Sequence, residues 1–157
     1  MPTRTFALLA GIAYLAVGIL GFIPALLSPM PPGVPDLAVD TGYGRLLGLF
    51  PVNVLHNVVH LAIGVWALAS TGSWGAARAF SRGLAVFYGI LAVAGIIPGV
   101  NTLFGLAPLF SHDVWLHALT AILAAYFGWR TPEEIEARAG TTTEGGIPVE
   151  RRGRPAA

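Results

Sequence analysis

Hydrophobic stretches recur along the chain at Thr5 to Leu27, Val52 to Ser70, Gly83 to Val100 and Leu109 to Trp129. Each is close to the ~20 residues with which a helix crosses ~30 Å of hydrocarbon. The pattern predicts an all-α fold, a four-transmembrane-helix bundle. Within the first stretch Gly11, Tyr14, Gly18 and Gly21 share a face of mostly small residues on which a neighbouring helix can approach closely. From Ser28 to Gly44 the chain is dense in proline and glycine, which predicts turns and irregular structure. The connection Thr71 to Arg82 carries Trp74, expected as an interfacial anchor. After the fourth stretch, Thr131, Pro132 and Glu134 have capping-box spacing and predict a short cytoplasmic helix over 131–139. Residues 140–157 have no apolar period and are expected to be a disordered tail.

Sliding the chain against itself reveals a repeat. At an offset of 74, Arg4, Phe6, Tyr14, Gly21, Ile23 and Pro24 fall on Arg78, Phe80, Tyr88, Gly95, Ile97 and Pro98. At an offset of 57, Leu46, Gly48, Leu49, Pro51 and His60 fall on Leu103, Gly105, Leu106, Pro108 and His117. The difference of 17 matches the proline-rich segment, present in the first half only. The membrane domain, residues 1–130, then consists of two helical hairpins, about 4–70 and 78–129, arranged as a parallel repeat about a pseudo-twofold axis along the membrane normal. Pro51 and Pro108 are expected at the first helical position of their spans, which places His60 and His117 at one depth, about 13 Å in at 1.5 Å per residue.

Composition strengthens the membrane reading: 55% of residues are hydrophobic and 11% charged. All nine basic residues are arginine, and eight fall on one side of the predicted spans against Arg45 on the other. Positive residues stay inside, so both termini are expected in the cytoplasm of a multi-pass protein. The absence of cysteine excludes disulfides, thiolate metal sites and covalent c-type haem. A net charge of +1 gives no basis for nucleic-acid binding. The lipid bilayer is the expected partner, and the small-residue faces would also suit a protein partner or a homo-oligomer.

Chemistry concentrates in Pro51 to Gly64, where His56 and His60 stand one helical turn apart with Asn53 a turn earlier, and in Pro108 to Thr120, which offers Asp113 and His117 at the same spacing. Three imidazoles and a carboxylate on facing helices form a sensible ligand set for a Zn, Fe or Mn ion, with Asn53 and Asn57 as partners for the free ring nitrogens. The same residues also read as a hydrogen-bonded network that fixes helix register, in a structural or partner-binding protein without enzymatic activity. A further alternative is b-type haem held axially by His60 and His117, which leaves His56 and Asp113 without a role. Tyr14 and Tyr88 are expected to face the bundle centre, and His112 to be interfacial. No phosphate loop, serine elbow or H-E-x-x-H motif occurs.

The string from Gly48 to His60, with Gly64, and the later Asp113-Val114-Trp115-Leu116-His117 resemble the bacterial four-span membrane family called domain of unknown function 4383. That family's pattern is similar to N-x-x-H-N-x-x-H-x-x-x-G in the second span and D-x-x-L-H in the fourth. The resemblance covers roughly Thr5 to Gly128 and marks Asn53, His56, Asn57, His60, Gly64, Asp113 and His117 as motif positions, leaving His112 outside. It implies a bacterial inner-membrane location and carries no assigned reaction.

Overall fold

The structure, a computed structural model, describes residues 3–130. The helix expected over 131–139 and the tail after it lie outside the described residues. The order is α1 (Thr3–Leu20), β1 (Leu27–Ser28), β2 (Gly44–Leu46), β3 (Phe50–Val52), α2 (Val54–Ala69), α3 (Trp74–Gly95) and α4 (His112–Ala125), which continues as a π turn, Tyr126–Arg130. Three helical stretches, Thr3–Leu20, Val54–Gly72 and Trp74–Gly95, are long and apolar enough to cross a membrane.

Polarity runs inside out. Leu55, Val58 and Val65 on α2, Val86, Ile90 and Val93 on α3, and Leu119 and Ile122 on α4 are exposed, whereas Asn57, His60, Ser70, Ser81, Asp113 and His117 are buried. A water-soluble fold hides such aliphatic faces, and one surrounded by lipid has no reason to.

The fold departs from the sequence reading in three places, each for a local reason. The chain is mostly helical rather than purely so, because the three strands form a small antiparallel sheet, in order β1-β2-β3, at the ends of the proline-rich segment. Pro51 is not a first helical residue: it lies in the edge strand β3 opposite Arg45, where its missing N–H costs nothing. Asn53 takes the N-cap of α2 instead, its side-chain oxygen accepting from the His56 N–H at 2.9 Å, and α4 starts at His112, beyond Pro108. Counted from these starts, His60 is six residues into α2 and His117 five into α4, about 9 and 8 Å along the axes at 1.5 Å per residue. Finally, Trp74 to Arg82 is helix rather than connection, since Ser73 caps the Ala76 N–H at 3.1 Å and α3 begins nine residues before Gly83.

The densest helix packing pairs α1 with α2 and α3 with α4, and the pairs meet mainly through α1 and α3. A Cβ on Gly64 would stand 2.9 Å from the Leu15 backbone nitrogen, and one on Gly95 would run into the Leu109 carbonyl, so both crossings are backbone-close. Contacts recur at the sequence offsets of 74 and 57. Arg4 Nε donates to the Thr71 carbonyl at 2.7 Å, and Arg78 Nε to the Gly128 carbonyl at 3.1 Å. Gly21 abuts Asn57 as Gly95 abuts Val114. Leu47 and Phe104 are both left-handed, at φ 54° and 58°, each followed by a left-handed glycine. Arg82 Nε adds a second donor to the Gly128 carbonyl at 2.9 Å.

Gly64→Val should therefore lower stability by about 1–3 kcal/mol through overpacking against α1. Gly89→Ala, where a Cβ meets nothing within 4 Å, should leave it unchanged or slightly raised. Thermal unfolding of both variants in mild detergent checks the pair.

Candidate metal centre

α2 begins by placing His56 in its first turn and His60 one turn further on, both facing inward because the opposite face is aliphatic. α4 does the same with Asp113 and His117, the carboxylate lying in the first turn, where a helix N-terminus favours negative charge. The four side chains converge. Asp113 Oδ2 lies 3.5 Å from His56 Nε2 and 3.8 Å from His117 Nε2. His56, His60 and His117 each offer a nitrogen within 4.8 Å of the others. Asp113 and His117 are 1% exposed, His56 and His60 5%, so no part of the cluster relies on bulk water.

Aromatic rings close it off. Tyr14 packs on the His60 ring at 5.5 Å, Tyr88 meets the His117 ring edge-on at 4.9 Å, and the two tyrosines lie 5.5 Å apart. The Tyr14 hydroxyl also reaches Thr120 Oγ1 across 3.5 Å. Thr120 was not singled out by sequence, although its place three residues after His117 puts it on the same helical face.

Hydrogen bonding is incomplete at this point of the fold. Among the described residues, seven buried side-chain polar atoms lack a hydrogen-bond partner, and four belong here: His56 Nδ1, His60 Nδ1, Asp113 Oδ2 and His117 Nδ1. Buried polar atoms are usually satisfied, so such a concentration singles this cluster out from the rest of the interior.

The two asparagines stand elsewhere. Asn53 caps α2 and donates from Nδ2 to the Val39 carbonyl at 2.8 Å and the Leu106 carbonyl at 2.7 Å, tying the proline-rich segment to the loop before α4. Its amide is committed to that junction rather than to a ring nitrogen. Asn57 is buried against Gly21. His112 is exposed and lies outside the cluster, with Ser111 Oγ 3.2 Å from its Nδ1 and Phe50 edge-on to its ring.

These features define a mostly helical protein with three helices long and apolar enough to cross a membrane and an internal histidine and aspartate cluster. The chain belongs to the family described as Domain of unknown function (DUF4383), whose model matches residues 4–130. No curated protein and no solved structure matches it.

Asn53→Ala should lose the cap, about 0.5–2 kcal/mol, together with both long-range bonds. Asn53→Ser keeps a capping oxygen and gives up the amide's two donations without burying a charge, so its smaller loss in chemical unfolding would measure the junction apart from the cap.

Proposed function

We propose that this protein is a four-span protein of the bacterial inner membrane whose polar centre binds one transition-metal ion. The observation that carries the reading is the meeting of three histidine nitrogens within 4.8 Å of one another, beside the Asp113 carboxylate. Nitrogen ligands at ~2.0 Å from a tetrahedral ion stand ~3.3 Å apart, so the side chains need only small adjustments to close on one. His56, His60 and His117 supply neutral imidazoles, and Asp113, beside two of them, supplies the charge that offsets the cation. Zn, Fe and Mn all accept this donor set.

The fourth span in this reading is α4 together with the π turn, from His112 to Arg130. Two copies of one hairpin would account for the contacts that recur at fixed offsets, and the arginine distribution supports a cytoplasmic side for both termini.

A purely structural network is the second reading, favoured by the placement of Asp113 between the rings of His56 and His117. Haem has less support, because Tyr14, Tyr88 and His56 already pack where a porphyrin between His60 and His117 would lie.

Metal analysis of protein purified in mild detergent should find roughly one equivalent per chain, retained in His112→Ala and reduced at least tenfold in His60→Ala and His117→Ala. Asp113→Asn should weaken retention by 10–100-fold or more, as loss of a ligand or of its close partner does. A wild type that stays metal-free after incubation with Zn, Fe and Mn salts leaves the network reading in its place, and a Soret band would assign haem.

A further inference from the structure

The cluster is walled on one side by helix packing and on another by an open groove. Between α1 and α4 lies a cavity of about 330 Å³, lined by Ala10, Ala13 and Val17 of α1, by Leu116 and Leu123 of α4, and at its inner end by Tyr14, Thr120, Tyr88, His60 and His117. Its lip is apolar: Leu9, Leu116 and Leu123 are exposed on the faces that the membrane reading assigns to lipid. Among the described residues, no Arg, Lys, Asp or Glu lines it.

We infer that this groove admits a lipid-soluble alcohol from the bilayer, with its hydroxyl at the histidine end and its hydrocarbon chain between α1 and α4. This deepens the reading of the cluster as a chemical centre, while the groove itself needs no ion. The occupant's chemistry follows from the walls. The absence of charged lining selects a neutral head group, because an ion moved there would lose its hydration without a counter-charge. The inner end holds unmet polar capacity: the Tyr14 to Thr120 hydroxyl contact is stretched to 3.5 Å, and the rings of His60 and His117 border the same end. A hydroxyl both donates and accepts, so it can insert between the two side-chain hydroxyls. The remainder of the lining is aliphatic or aromatic, which a hydrocarbon chain complements and a polar body does not. The volume is at the low end of the ~300–1,000 Å³ of small-molecule sites, in keeping with one narrow chain. Ala10 and Ala13 keep the groove open, since any larger side chain there would stand in it.

A photoreactive long-chain alcohol, a diazirine-bearing dodecanol, tests this on the full chain in lipid nanodiscs, with labelled peptides mapped by mass spectrometry and metal content measured on the same samples. Labelling is expected on α1 and α4 near Ala13 and Thr120, competed at least fivefold by excess dodecanol and not by dodecyltrimethylammonium. Ala13→Trp, at an exposed position, should fill the groove and reduce labelling at least fivefold without changing metal content or melting temperature. Tyr14→Phe should weaken the competition by dodecanol and leave that by dodecane unchanged. Label spread evenly over all lipid-facing helices, label insensitive to Ala13→Trp, or equal competition by the ammonium amphiphile would overturn the inference. A metal-free protein that still labels specifically would retire the metal reading and keep the groove; a metal-loaded protein that does not label would do the reverse.

Discussion

A carboxylate with almost no exposure, wedged between imidazoles from two different helices, is the constraint around which the rest of this structure is arranged. Asp113 belongs to α4, whereas one of the rings beside it belongs to α2. Burial of such a group is expensive unless its surroundings are polar and closely held. The fold meets that condition by turning the polar face of each helix inward and leaving the outward faces aliphatic. Glycines at the crossings bring the backbones close enough for the short polar side chains to reach one another. The tyrosines then shield the rings on the side away from Asp113, so the cluster is a sealed polar pocket with one soft wall.

That soft wall matters for how the centre is reached. Helices α1 and α2, and α3 and α4, form tight pairs, and the looser seam runs between α1 and α4. In lipid a seam between helices costs little to leave partly open, because hydrocarbon chains fill it as readily as side chains do. In the proposed membrane setting, the groove would open to the histidines laterally, from the hydrocarbon. An aqueous path would have needed polar residues along the helices, and the lower parts of α2 and α4 supply Ile63, Val65, Leu68 and Ile122 instead.

Much of this was legible in the chain itself because one-turn spacing and apolar surroundings leave histidine and aspartate few directions to point. His56, His60, Asp113 and His117 share company in the folded protein for that reason, and Tyr14 and Tyr88 join them from equivalent positions. The helix starts were less legible. Proline at a first turn is a common arrangement, but an asparagine two residues later offers a hydrogen-bonding oxygen to the backbone, and at Asn53 that interaction decides where α2 begins. The strands are two or three residues long and exist only through pairing with distant segments, so no local periodicity announces them. Arg78 and Arg82 resembled a loop because they are charged. Their long stems instead let the guanidinium groups reach a carbonyl on α4's last turn while the backbone stays helical.

Those arginines have a mechanical consequence. Gly128 sits in the π turn, and two guanidinium groups from α3 donate to its carbonyl while Arg4 of α1 holds the Thr71 carbonyl. One end of the bundle is thereby riveted across two helix junctions, α1 to α2 and α3 to α4, and the opposite end is held by the small sheet and the Asn53 amide. The two ends are thus held by different means, guanidinium groups on carbonyls at one and backbone pairing with a buried amide at the other, and the histidines lie nearer the second.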